Sequence, residues 1–239
     1  MAEAYYLHVT DKLRDVLLTD DTAWVNDNGK LPAERELAQR FETTRVTLRQ
    51  ALAQLEGEGR IHRSNRRGWF VSPKRLEYDP TRDAGFNDYV RDQGRLPRTE
   101  VLSVSTSSHP PAAKALGLVA DQTFYHIRRR RYVDERAVLV ESLWVVPERA
   151  PGLLDERFDF SLWKLLREKW NLRLSHRSIS MVSEALQGAD ARELGVAAGT
   201  AGLNICRTIL DGDQRPVEYD EEHWLHDALS IRVELKQHR

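Results

Sequence analysis

One stretch of the chain, Leu31 to Val71, leaves few folds open. It reads LPAERELAQRFETTRVTLRQALAQLEGEGRIHRSNRRGWFV, two helical periodicities and a pair of strand-like runs with almost nothing between them. The first periodicity predicts a helix opening at Leu31-Pro32, with Leu37, Ala38 and Phe41 on its apolar face and Glu36 and Glu42 turned elsewhere. Pro32 suits a first helical position because its missing N–H has no partner there in any case. Ala33 stands where a hydroxyl or carboxylate cap is expected, and that loss costs about 0.5–2 kcal/mol of helix stability. Thr43-Thr44 then supplies a hydroxyl cap for a second helix, whose core face is Leu48, Ala51, Leu52 and Leu55. Glu58-Gly59 ends it, with Gly59 free to adopt the left-handed conformation that follows many helices. Ile61–Arg63 and Trp69–Val71 read as short strands joined by a turn over Ser64–Gly68.

Two helices followed by a hairpin make a winged helix-turn-helix, and the polar residues fit that use. Arg45 and Arg49 lie four apart at the start of the second helix, with Thr47 between them. That is the part of a recognition helix that reaches base edges, and arginine matches guanine O6 and N7 with two parallel hydrogen bonds. The wing carries Arg63, Arg66 and Arg67, suited to phosphates or the minor groove. Residues 43–75 hold eight Lys/Arg against two Glu, whereas residues 1–42 hold five basic and nine acidic residues. A chain of net charge −1 thus concentrates its positive field on the second helix and wing.

These residues resemble the winged helix-turn-helix of the GntR family of bacterial transcription regulators. The likeness runs through Leu31-Pro32-Ala33-Glu34-Arg35-Glu36-Leu37-Ala38, Thr44 to Leu52, Glu58-Gly59 and Arg66 to Val71. It implies that double-stranded operator DNA is contacted by Arg35, Thr44, Arg45, Thr47 and Arg49, with Arg66 and Arg67 from the wing. Thr44 replaces a serine and keeps the hydroxyl, Ala33 replaces a serine and loses it, Arg66 replaces a wing glycine, and Trp69 replaces a small residue.

At 239 residues the chain has room for two domains. We expect the winged domain over residues 1–73, a linker over 74–82 containing Pro80, and a second domain over 83–239. Tyr5–Leu18 is expected to form a helix that completes a three-helix core, broken by Thr19-Asp20-Asp21 and Asn26–Gly29. No apolar run is long enough for a membrane span, and MAEAYYLHVTDKLRDV lacks a signal pattern. A lone cysteine, Cys206, excludes an internal disulfide, and the eight histidines show no ligand spacing. A cytoplasmic protein with no metal and no cofactor is expected.

The second domain alternates strands with few helices. Helices are expected at Phe86–Gln93, Ala112–Leu116 and Phe160–Trp170. Strands are expected at Thr99–Ser107, Phe124–Val133, Ala137–Val146, Ser175–Glu184, Leu203–Leu210, Arg215–Glu222 and Ser230–Leu235. Such a pattern predicts an α+β domain built on an antiparallel sheet with helices on one face. Ala113–Leu118 is echoed 78 positions later by Ala191–Val196, each followed by an arginine-bearing strand, a turn and another strand. The echo is either a duplication with a cleft between the halves or chance. Four arginines, Arg128 to Arg131, share one strand, so alternation places Arg129 and Arg131 on one face. With Glu141 on the next strand they make either an anion clamp or a structural ion-pair network.

This part resembles the UTRA effector-binding domain of the HutC subgroup of GntR regulators, whose fold is similar to chorismate lyase. The likeness rests on Arg129, Arg131, Asp134, Glu141 and Pro147, on Phe160-Ser161-Leu162, on Glu184, on Leu194–Val196, and on Arg207 and Arg215–Tyr219. It implies that Arg129, Arg131, Glu141, Ser161 and Tyr219 touch an effector, with Phe86 and Asn87 beside them. Asn87 stands for a more usual Ser or Thr, and Arg207 is expected to be structural. The function implied is a homodimeric repressor on a palindromic operator, released by a small anionic metabolite such as a sugar phosphate, phosphonate or carboxylate. The rivals are a constitutive DNA-binding dimer and a chorismate-lyase-like enzyme. No nucleophile–base pair or glycine-rich phosphate loop favours the enzyme.

Overall fold

The computed structural model describes residues 2–18, 24–26, 28–64, 67–80, 82 and 84–233, in two compact units, Met1–Lys74 and Arg75–Arg239. The expected breaks at Thr19–Asp21 and at Asp27, the hairpin tip at Asn65 and Arg66, and the last expected strand residues, 234 and 235, lie outside the described residues.

The first unit is three helices and a hairpin. α1 (Ala2–Leu18), α2 (Glu34–Arg40) and α3 (Arg45–Gly57) bury Val9, Leu13, Leu37, Leu48, Leu52 and Leu55 against one another. α2 starts two residues later than expected. Pro32 stays outside the helix, and Ala33 is its N-cap without a side-chain cap bond. α3 is capped as the sequence predicts, Thr44 Oγ1 accepting from the Thr47 N–H at 3.2 Å. Its C-terminus closes with Arg60 N–H to Leu55 O (3.0 Å) and Gly59 N–H to Glu56 O (2.9 Å), Gly59 sitting at φ +71°. That paired pattern satisfies carbonyls the helix leaves open and needs a residue that tolerates positive φ. Arg14 of α1 grips Glu58 just beyond α3 through Nη2 (2.6 Å) and Nε (3.2 Å). β1 (Ile61–Ser64) and β2 (Gly68–Val71) pair antiparallel, and Leu31 N–H to Trp69 O (2.9 Å) adds the segment before α2 to their edge.

The second unit is a six-stranded antiparallel sheet in the order β4-β5-β6-β9-β8-β7. The strands are β4 (Pro97–Ser108), β5 (Thr123–Val133), β6 (Arg136–Val145), β7 (Ser175–Ala185), β8 (Ala201–Leu210) and β9 (Pro216–Leu225). α5 (Pro110–Leu116) follows β4 and α7 (Gly188–Glu193) follows β7, so each half runs strand–helix–strand–strand and the halves meet where β6 pairs β9. The echo is therefore structural. Gly117 and Gly195, 78 positions apart, end their helices at the same φ of +70°. Val101↔Arg129 and Ile179↔Arg207 are matching register pairs, also 78 apart. The β5–β6 turn, Asp134-Glu135, has positive φ at both residues (+49° and +65°), the two-residue turn whose twist suits adjoining strands.

Helices cover both faces, not one. α5 and α7 pack on one side; α4 (Phe86–Asp92) and α6 (Leu162–Trp170) pack on the other with the apolar residues Ile127, Leu143, Val145 and Ile209 beneath α6. Residues expected in a linker over 74–82 instead include β3 (Leu76–Tyr78), which pairs in parallel with β10 (Leu229–Ile231). Leu76 and Tyr78 are buried in the second unit's core. β3 is only three residues long, and its pairing partner lies at the far end of the sequence, so no local periodicity announces it.

Candidate nucleic-acid interface and charged cavity

On the first unit, α3 presents Arg45 and Arg49 to solvent while Leu48, Ala51, Leu52 and Leu55 face inward. Arg35 and the cap Thr44 are exposed as well, and Thr47 is half-buried, its hydroxyl 2.9 Å from that of Thr44. Arg49 remains 67% exposed, yet its Nε donates to Glu34 Oε2 at 2.8 Å. Glu34 Oε1 accepts from the Trp69 indole at 3.2 Å. One carboxylate of α2 thus fixes Arg49 of α3 and the wing strand β2 together. The Arg49 hydrogen bond holds the Glu34 carboxyl below its ordinary range. A buried indole N–H calls for an acceptor, and Glu34 in the first turn of α2 supplies it. Arg67 is exposed, its guanidinium 5.4 Å from the Phe70 ring, and Arg63 lies 6.0 Å from the Trp69 ring. Arg66 lies outside the described residues.

On the second unit, a cavity of about 70 Å³ opens between the sheet and the starts of α4 and α6. Phe86, Arg129, Arg131, Glu141 and Ser161 line it. Ser161 caps α6, accepting from Lys164 N–H at 3.3 Å. Gly85 comes so close that a Cβ there would stand 3.0 Å from Ser161 Oγ. Trp163 and His176 line both this cavity and an adjoining open groove of about 460 Å³.

Arg129 and Arg131 share a face, as strand alternation requires, and both reach Glu141 Oε1, at 2.6 Å and 2.5 Å. Arg129 Nη1 also donates to the carbonyls of Phe158 (3.2 Å) and Phe160 (2.9 Å), and Arg131 Nη1 to Thr99 Oγ1 (2.9 Å). Burial, then the neighbouring Arg131, pulls Arg129 down to about 10. Burial alone would raise Glu141, but the two guanidiniums outweigh it and hold the carboxyl low. Arg128 and Arg130 point to the opposite face, toward Asp190 and toward Glu100 and Glu193.

Two of the expected contacts lie elsewhere. Tyr219 sits on the α5–α7 side, beside Trp144 (ring centroids 5.8 Å) with its hydroxyl donating to Glu221 at 3.0 Å. It follows Glu218 directly, and successive strand residues face opposite ways. Asn87, on α4, does not line the cavity, and its Oδ1 is buried without a hydrogen-bond partner.

The cavity also holds residues that sequence reasoning missed. Arg207, expected to be structural, lines it and donates from Nη1 and Nη2 to Glu222 (2.6 and 2.9 Å), from Nη1 to Asp220 (3.2 Å) and from Nη2 to the Tyr78 hydroxyl (2.6 Å). Burial works against its charge, but Glu222 and Asp220 keep it firmly protonated. Glu218, Asp220 and Glu222 alternate along β9 and all line the cavity; that period of two was available in the sequence. Burial, then the neighbouring Asp220, pushes Glu218 up to about 8, and burial raises Asp220 to about 7. Among the described residues no cluster of His, Cys, Asp or Glu is arranged to hold a metal, and no helix is long and apolar enough to cross a membrane.

Comparison with known proteins places both units. Residues 5–71 match the model for "Bacterial regulatory proteins, gntR family" and residues 92–230 the model for the "UTRA domain". The chain is 28% identical over 219 residues to the "Uncharacterized HTH-type transcriptional regulator YihL" of Escherichia coli K12, covering 89% of this chain and 93% of that one. It is 24% identical over 229 residues to the "Probable fructoselysine utilization operon transcriptional repressor" of the same organism, covering 95% and 94%. The crystal structure of PhnF from Mycobacterium smegmatis has the same fold, with a TM-score of 0.66 at 22% identity over 95% of this chain and 99% of that one.

Proposed function

Because this chain belongs to the GntR family of bacterial regulatory proteins, with a UTRA domain as its second unit, we propose that it is an effector-controlled transcriptional repressor. Both families are those of transcription regulators, not enzymes. In this reading a homodimer binds a palindromic operator in the cytoplasm, since two-fold protein symmetry calls for two-fold sites. Arg45 and Arg49 read bases, while Arg35, Thr44, Thr47, Arg66 and Arg67 hold the backbone. A small metabolite with an anionic group, such as a sugar phosphate, phosphonate or carboxylate, enters the UTRA cavity and lowers operator affinity. It can do so only by binding one arrangement of the dimer more tightly than another.

The observation that carries the reading is the exposed pair Arg45 and Arg49 on a capped α3, in the same chain as an enclosed cavity lined by Arg129, Arg131 and Ser161. The relative named as a repressor supports the sign of control. The test is gel retardation of DNA upstream of the chain's own gene. Wild type retards it with a steep salt dependence, and Arg49→Ala retards it only at markedly higher protein concentration. Retention of full affinity by Arg49→Ala rejects the reading.

A further inference from the structure

The cavity is not a bare anion pocket. At its β5 end two guanidiniums, Arg129 and Arg131, share one carboxylate, Glu141. At its β8–β9 end one guanidinium, Arg207, faces three carboxylates, Glu218, Asp220 and Glu222. Glu222 is spoken for, holding Arg207 with both oxygens and accepting from the Trp224 indole at 2.8 Å. Asp220 receives only longer bonds from Arg207, at 3.2 and 3.4 Å. Glu218 is 1% exposed, and its Oε2 has no hydrogen-bond partner. It pairs in register with Val145 and Ile209, so apolar neighbours flank it on both strands. A buried carboxyl oxygen without a donor is costly, and native structures keep few of them.

The geometry points to an effector that carries a protonated amine, seated on Glu218 and Asp220, in addition to an anionic group seated on Arg129, Arg131 and Ser161. This inference rests on the reading of the UTRA cavity as the effector site and names the class of ligand that site takes. The surplus positive and negative ends lie on β5 and β9, with β6 between them. Across the sheet that is two strand spacings, on the order of 10 Å between backbones; along it Glu218 stands opposite Val145, four residues from the Glu141 that Arg129 holds, and Glu218 still feels the Arg129 charge. An ammonium offers several donors to carboxylate oxygens at short range, which a hydroxyl in its place does not match. Without such a ligand, burial keeps Glu218 mostly protonated near neutrality and leaves Asp220 divided between its two forms. The charged and titratable groups lining the cavity with them are Arg129, Arg131, Glu141, Arg207, Glu222 and His176 from the sheet, with Tyr78 and Tyr89 from β3 and α4. A bound ammonium ionises the two acids and releases their protons to water, so its affinity rises with pH from 6 to 8.

The experiment uses the full chain and matched probes that differ in one group: phosphoethanolamine against ethylene glycol monophosphate, glucosamine 6-phosphate against glucose 6-phosphate, and β-alanine against 3-hydroxypropionate. Binding is read by calorimetry and by the shift in thermal unfolding. The expected result is that in at least one pair the amine binds ten-fold or more tightly than its hydroxyl twin, and more tightly at pH 8 than at pH 6. Glu218→Gln, nearly isosteric, reduces that preference to within about two-fold; Asp220→Asn acts in the same direction. Far-ultraviolet circular dichroism and the melting transition confirm that both variants are folded. Absence of an amine preference in every pair overturns the inference, whether or not the hydroxyl twins bind, and so does a preference that survives in Glu218→Gln. DNA retardation by the wild-type chain without any probe judges the regulator reading separately and stands whichever way the amine result falls.

Discussion

Arg49 and Glu34 are joined by a 2.8 Å hydrogen bond that spans fifteen positions and ties the recognition helix to the helix before it. The bond uses Nε and leaves a side chain that is still 67% exposed. Glu34 in turn holds the wing through Trp69. Glu34 therefore positions Arg49, the arginine we propose reads bases, and ties the wing's Trp69 to the same carboxylate.

Glu34→Gln should weaken operator binding less than Arg49→Ala. A bidentate arginine–base contact is worth about 1–3 kcal/mol, so Arg49→Ala should lower affinity about ten- to hundred-fold. Glu34→Gln should cost a fraction of that, through a less fixed Arg49. Competition titrations against operator DNA with single base changes check this: Arg49→Ala flattens discrimination at one position, and Glu34→Gln blunts it.

Thr44→Ala removes the only side-chain cap on α3. Loss of such a cap costs about 0.5–2 kcal/mol, and the Thr47 N–H that it accepts from is left to solvent. Urea unfolding of the first unit should show that loss of stability as a lower midpoint with an unchanged slope.

Tyr78→Phe strips the hydroxyl that accepts from Arg207 Nη2 at 2.6 Å and Nε at 3.2 Å. The guanidinium stays buried with an unmet donor, a change worth about 1–3 kcal/mol. Thermal unfolding of the second unit reads it, and a variant as stable as wild type would show that the β3–β8 link carries nothing.

Stability of the second unit should fall as pH rises. Glu218 and Asp220 sit above their ordinary values of 4.5 and 3.8, at about 8 and about 7. The folded form therefore binds more protons than the unfolded chain in between, and their contribution is full below those ordinary values. It is lost progressively as pH climbs through 7 and 8. Glu141 runs the other way: its lowered carboxyl contributes above the ordinary 4.5 and loses that contribution as pH falls through its lowered folded-state value. Unfolding midpoints between pH 5 and 9 test the sign, and Glu218→Gln should flatten the decline.

The winged unit was legible because its information is local: Leu48, Ala51, Leu52 and Leu55 declare a helix, and Thr44 and Gly59 declare its ends. The 78-residue echo was legible too, and the matched registers of Arg129 and Arg207 show what it encodes. What stayed hidden depends on distance along the chain. Tyr78 looks like linker until Arg207, 129 positions away, bonds to it. Motif continuity put Tyr219 in the site, but one step along a strand reverses the side chain and sends it to the other face. Alternation along β9 was there to group Glu218, Asp220 and Glu222 and was missed; only long-range pairing decides which face of that strand lines the cavity.

A sheet assembled from two like halves would, if the halves stayed identical, accept a small guest equally well either way round. Here the mates have diverged: Arg129 leans on Glu141 and main-chain carbonyls, whereas its counterpart Arg207 leans on Asp220, Glu222 and a phenol. The doubled scaffold therefore has a head and a foot, and a molecule that fits must arrive with a single polarity.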